Sequence, residues 1–136
     1  MFTILFIFIV CFCIVMSLRT LFIPIALQDK FLSWENFIYL FFIFLTILIG
    51  FGLIYFILQE NGLTVYIDHS ETPKSFMTSL LTSFYFSGVT LFSIGYGDVS
   101  PIGIGRLLAI LEGIIGYIIP ASFVVRTVID FRRERG

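Results

Sequence analysis

Thr90-Leu91-Phe92-Ser93-Ile94-Gly95-Tyr96-Gly97-Asp98 is the stretch from which the rest of the chain is read. Glycines on both sides of Tyr96 make left-handed backbone available at Gly95 and Gly97 with little steric cost. A segment that alternates such conformations turns successive carbonyls toward one axis. Rings of such oxygens can replace the water shell of a dehydrated cation such as K+. Ser93 can add a side-chain oxygen at the inner end. The nine residues close a run over 76–92 that is rich in hydroxyls: Thr78, Ser79, Thr82, Ser83, Ser87 and Thr90. That run is too polar and too interrupted to face lipid. Irregular backbone at membrane depth persists only where protein or water covers it. A re-entrant helix followed by an extended loop is therefore expected, starting with Thr72 as cap and Pro73 at the first helical position. The C-terminal end of such a helix carries partial negative charge, which favours a cation near the membrane centre.

Composition sets the surroundings. Of 136 residues, 59% are apolar and 12% charged, against roughly 45–50% and ~25% in soluble domains. A soluble fold of one small domain cannot hide that much apolar surface. A soluble enzyme, a disordered tail and a nucleic-acid binder are excluded, the last also by a net charge of −1 that provides no basic field. Apolar runs cover 2–18, 37–58 and 102–129, the last with Arg106, Glu112 and Arg126 embedded. The second and third reach the ~20 residues of a spanning helix. The first lacks the positive flank and small-residue site of a secretory leader. It spans only if Arg19 snorkels or the helix continues toward Pro24. The alternative is an interfacial segment over 20–36, which mixes Leu21, Phe22 and Trp34 with Gln28, Asp29 and Lys30. Cys11 and Cys13 diverge on a helix, so no disulfide is expected. With a single histidine they make no zinc site. No nucleophile–base pattern accompanies the spans, so no enzyme is expected.

Basic residues give sidedness. Arg126, Arg132, Arg133 and Arg135 gather at the C-terminal end, which is expected to be cytoplasmic. A re-entrant loop returns to the side it left, so segment 59–75 is expected outside. It is acidic, with Glu60, Asp68 and Glu71 against Lys74.

Over residues 36–131 the sequence resembles the potassium-channel pore-domain family. The family signature is T-x-x-T-x-G-Y-G-D, and this chain reads T-L-F-S-I-G-Y-G-D. Ser93 stands where the family has threonine, which keeps the oxygen and loses a methyl group. The hydroxyl is then less restrained than on a β-branched residue. The expectation is retained K+ selectivity with a looser innermost site. The resemblance implies an all-α transmembrane fold: an outer helix, a re-entrant pore helix with its selectivity filter, and an inner helix. An N-terminal helix is added, and the whole assembles as a homotetramer around a central pore. It implies K+ sites at Ser93, Ile94, Gly95, Tyr96 and Gly97, with K+ as permeant ion and no organic cofactor. Three parts are expected: a membrane or interfacial helix over 1–30, an ion-channel pore domain over 31–131, and a basic cytoplasmic tail over 132–136. The expected location is a plasma membrane, multi-pass, of prokaryotic type. Alternatives are a poorly selective cation channel on the same fold, or a small helical membrane subunit or adaptor.

The resemblance also suggests support for the filter. Tyr85 stands where aromatic residues brace it, and either hydrogen-bonds toward Asp98 or simply packs. Thr90 belongs to the same signature. Val89 stands where some members carry glutamate, so gating by a carboxylate there is not expected. Gly105-Arg106 resembles the Gly-Arg at the start of the inner helix, where Arg106 caps or meets an acid. Gly116 takes the place of a hinge glycine, flanked by Gly113 and Pro120. Proline clashes with the carbonyl four residues back, that of Gly116, so a gating bend is motivated. Close helix packing is the other use of these glycines. Glu112 is an intramembrane carboxylate, which is costly and faces protein or water. It either buttresses the filter through pore-helix groups or lines the cavity. No arginine ladder of a voltage sensor is present, and a separate regulatory partner is left open.

Overall fold

The structure, a computed structural model, describes residues 2–22, 34–70 and 75–134. Four helices and two short strands follow in the order α1 (Phe2–Phe22), α2 (Trp34–Glu60), β1 (Tyr66–Asp68), α3 (Phe76–Leu91), β2 (Val99–Pro101) and α4 (Gly105–Glu134). Most of the expected interfacial stretch, the Thr72-Pro73 helix start and Arg135 lie outside the described residues. The described helix α3 starts at Phe76. Its cap is Ser75, in extended backbone, with Oγ accepting from the Thr78 N–H at 3.2 Å. A serine at this position satisfies one of the orphan donors of the first turn.

Among the described residues, two helices are long and apolar enough to cross a bilayer: 24 residues from Phe37 to Glu60 in α2, and 18 from Gly105 to Ser122 in α4. At ~1.5 Å per residue the α2 segment covers about 36 Å, more than the ~30 Å hydrocarbon core. Large side chains such as Phe41, Phe42, Leu107, Ile110 and Tyr117 lie exposed on these helices. A surface of that kind suits lipid or another apolar partner. α1 lies along α2. Val10 and Ile14 are buried, and Gly50 makes room for them: a Cβ there would sit 2.7 Å from Ile14 Cδ1.

The core follows the helical period. Ile43, Ile47, Phe51, Ile54 and Tyr55 form one stripe of α2 and are buried against Phe86, Val89 and Leu91 of α3. In lipid there is little hydrophobic gain from helix association, so shape and polar contacts must hold the helices together. Glycine provides the shape. A Cβ on Gly52 would lie 2.5 Å from the Phe84 ring, and one on Gly116 of α4 would lie 2.0 Å from Leu91 O.

The strands have no counterpart in the sequence reading. β1 and β2 pair antiparallel, Tyr66 opposite Pro101 and Asp68 opposite Val99. Each has three residues, too few for an alternating pattern, and α3 separates them in the chain. The pair is tied into the helices at several points. Gln59 Oε1 accepts from Val65 N at 3.0 Å, and Ile102 N donates to Val65 O at 2.9 Å. The Tyr66 hydroxyl meets Ser83 Oγ at 2.9 Å, a buried phenol with its polar end satisfied. Gly105 starts α4 hard against this corner, where a Cβ would fall 1.9 Å from Val65 O.

Candidate functional site

The C-terminal end of α3 builds the site. Phe92 caps it, its N–H donating to Gly88 O at 3.0 Å, and its ring stacks on Phe44 of α2 with centroids 5.5 Å apart. Ser93 N donates to Thr90 O at 3.0 Å. Ile94 N and Gly95 N both turn back to Val89 O, at 2.8 and 3.4 Å. Thr90 and Val89 thus serve through their carbonyls, which the helix end leaves without intrahelical partners. Beyond this turn the backbone takes positive φ at every second residue: 54° at Ser93, 59° at Gly95 and 83° at Gly97. Nothing lies within 4 Å of a Cβ built on Gly95 or Gly97. Glycine is therefore required there by dihedral and not by space. Ser93 adopts the same region without that freedom, at a cost of about 1–2 kcal/mol. Strain of this kind, held by surrounding bonds, collects at functional sites. Residues 92–98 are exposed along their whole length.

The far end of the segment is tied to α3 and β1. The Tyr85 hydroxyl donates to Asp98 Oδ2 at 2.7 Å, and His69 N donates to Asp98 O at 3.0 Å. Of the two roles open to Tyr85, the structure places it in the hydrogen bond. Asp68, across a shallow open cleft, accepts from Ser70 N at 2.8 Å and from Thr82 Oγ1 at 3.4 Å. Hydrogen bonds from Ser70 hold its carboxyl below the usual carboxylate range, against the opposing effect of partial burial. The stabilisation is then fully present above the unfolded value, near ~3.9, and is lost as pH falls through the lower folded value. An acid-unfolding curve should show this step in the native protein and lose it in Asp68→Asn. The change should be small, because the side chain is partly solvated.

Glu112 is fully buried within the chain, its carboxyl between α2, α3 and α4. The Tyr55 hydroxyl donates to Oε2 at 2.8 Å, and Ser87 Oγ is bonded to Oε1. Ser87 Oγ also meets Leu48 O of α2, at 3.0 Å. The sequence reading missed Tyr55. A signal was present: in residues 40–58 only Thr46 and Tyr55 carry polar side chains, and a buried phenol needs a partner. Arg106 Nε reaches Pro101 O at 3.4 Å, a carbonyl at the entry to α4. Gly113, Gly116 and Pro120 all lie within α4, which runs as one helix. Gly116 touches the end of α3, whereas a Cβ on Gly113 would be 3.9 Å from Thr90 O, an ordinary contact.

A helix thus ends on a backbone of positive φ at every second residue, set between two apolar helices in the chain. The chain belongs to the ion-channel family: the family's model, of the two-span potassium-channel-like type, matches residues 43–133. The match runs from within α2 through α4 and takes in the whole of residues 92–98. α1 lies outside it. The chain is also similar to two bacterial proteins called Protein LctB. It is 52% identical over 89 residues to that of Bacillus caldotenax, covering 65% of this chain and 66% of the relative. To that of Geobacillus stearothermophilus it is 50% identical over 90 residues, 65% of this chain and 67% of the relative. The chain thus spans about two thirds of the length of these curated relatives, whose name states no activity. No solved structure matches the chain significantly.

Proposed function

We propose that four copies of this chain form a potassium-selective channel, conducting K+ passively through rings of oxygens from Ser93, Ile94, Gly95, Tyr96 and Gly97. The alternation of positive φ at Ser93, Gly95 and Gly97 carries this reading. In such a backbone successive carbonyls share one side, and four strands so arranged make stacked oxygen cages. The exposure of residues 92–98 supports it, since an ion pathway needs this surface free of the chain's own side chains. In this reading α2 is the outer helix, α3 the re-entrant pore helix and α4 the inner helix. The C-terminal arginines lie in the cytoplasm and 59–75 outside. Gating uses a bend of α4 near Gly113, Gly116 and Pro120, a stretch weakened by two glycines and a proline.

A bi-ionic reversal potential tests the proposal. Purified protein in a planar bilayer, with K+ on one side and Na+ on the other, is expected to reverse near the K+ equilibrium value. Reversal near zero with sizeable current means a non-selective cation pore, and directs attention to Ser93. No current in either ion from correctly folded tetramer argues for a membrane subunit or adaptor.

A further inference from the structure

Three buried side chains from three helices share more hydrogen bonds than their hydroxyls can make. Tyr55 of α2 bonds Glu112 Oε2, Ser87 of α3 bonds Glu112 Oε1, and the same Ser87 Oγ bonds Leu48 O. Each bond needs one hydrogen. A tyrosine and a serine hydroxyl carry one each, a carbonyl carries none, and an ionised carboxylate is acceptor only. Three bonds with two hydroxyl hydrogens leave one to be supplied, and the remaining place for it is the carboxyl of Glu112. With a proton on Oε1 every group is satisfied. Glu112 donates to Ser87 Oγ, Ser87 donates to Leu48 O, and Tyr55 donates to Oε2. All three side chains are fully buried, so water offers no substitute. Leaving any one of them unmatched there would cost the desolvation of that group.

We propose that Glu112 is held as a neutral carboxylic acid and is a positioning residue for the pore helix, its proton completing a chain from Tyr55 through Ser87 to the backbone of α2. Ser87 lies two residues before Val89, whose carbonyl receives Ile94 and Gly95. The chain therefore fixes the height and rotation of α3 at the turn that launches residues 93–97. Removal of the proton converts Oε1 to an acceptor. Ser87 then has one hydrogen for two acceptors, and either the bond to Leu48 O or the bond to Glu112 is given up. Among the described residues packed on Glu112, Tyr55 is the other titratable group. Ser87 is the polar contact from α3, and on α4 the nearest charged neighbour in the chain, Arg106, is directed to Pro101 O. No described cation faces the carboxyl to hold it ionised.

The test is infrared difference spectroscopy on the full-length protein in lipid near neutral pH. The expected result is a carboxylic acid C=O band that moves on deuteration, moves on carboxyl-13C labelling of glutamate, and is lost in Glu112→Gln. The labelled native protein keeps the test decisive if a variant misfolds. Absence of a glutamic acid band in the native protein overturns the proposal, as does loss of carboxylate bands alone in Glu112→Gln. Ser87→Ala should leave the acid band in place but shift it, because its hydrogen-bond partner is gone. The positioning role, which rests on the channel reading above, is read separately. Glutamine donates from Nε2 to Ser87 and accepts at Oε1 from Tyr55, so Glu112→Gln should keep the native K+ current and lose any dependence on alkaline pH. Glu112→Leu and Tyr55→Phe should both lower the current. A Glu112→Gln protein as impaired as Glu112→Leu would overturn the positioning role while leaving the spectroscopic result to stand or fall alone.

Discussion

Gly116→Ala is expected to displace α4 from α3 and to destabilise the protein by about 3 kcal/mol, the upper end of the range for overpacking. The added methyl would fall 2.0 Å from Leu91 O and 2.9 Å from Leu91 C. A crowded side chain can swing away, but a peptide carbonyl moves only with its backbone. Leu91 is the last residue of α3, so the shift passes directly into the turn at Phe92 and Ser93. Gly113→Ala is the matched control. One turn earlier on the same helix, its methyl would come no closer than 3.9 Å to Thr90 O. Alanine there should be neutral or slightly stabilising, since glycine in a helix interior costs up to ~1 kcal/mol relative to alanine. Thermal unfolding in detergent separates the two. A large fall in Tm for Gly116→Ala with little change for Gly113→Ala is the expected pair. Equal, small effects would place α4 farther from α3 than the structure does. The same reasoning extends to Gly105→Ala, where the obstacle is Val65 O at 1.9 Å.

Close approach of this kind marks where sequence reading stops. That Gly116 sits in a long apolar helix is plain from the chain alone. Which backbone atom it meets is not, because helix contact depends on the rotation and depth of two elements far apart in sequence. The helices themselves were legible. The runs over 37–58 and 102–129 are long and mostly apolar, the second despite three embedded charges, and they became the two long apolar helices among the described residues. The hydroxyl-rich run over 76–92 became α3 to within a residue at its end, while the expected start at Thr72-Pro73 lies outside the described residues. Proline at position 73 is a strong local signal, and the serine at position 75, bonded back from Thr78, is the cap the described helix uses. The strands were not legible at all. Three-residue elements carry no period, and their pairing is held by Gln59 and Gly105 from outside and by the Tyr66 hydroxyl on Ser83. Glu112 shows the limit most clearly. A carboxylate in a membrane helix announces itself in the sequence. Its partners Tyr55 and Ser87 come from two other helices and were hidden among apolar and hydroxyl residues.

On the proposed pore reading, Gly95→Ala is expected to abolish K+ conduction while leaving the fold standing. Two effects of the methyl group separate here. Sterically it is unopposed, for among the described residues no atom beyond its two chain neighbours lies within 4 Å of the added carbon. Conformationally it is opposed, because Gly95 has φ of 59° and an L-residue pays about 1–2 kcal/mol in that region. The relief is a rotation of the Gly95 peptide out of left-handed backbone, which turns one carbonyl away from the axis. Among the described residues, the two bonds to Val89 O, the Ser93 N–Thr90 O bond and the tie of Asp98 to Tyr85 and His69 resist it. In a tetramer the cost recurs in every copy, and one turned carbonyl interrupts a ring of oxygens. The loss therefore appears in transport and not in melting. Gly62→Ala gives the control, since Gly62 has φ of 83° and open space around it, but lies in the turn after α2, away from the segment. It bears a similar backbone cost and should conduct normally. Measuring Tm together with K+ flux into liposomes for both variants decides the matter. Flux lost in Gly95→Ala alone, at near-native Tm, ties the left-handed backbone at position 95 to conduction. Native flux in Gly95→Ala would remove residues 93–97 from the ion pathway and the proposed function with them.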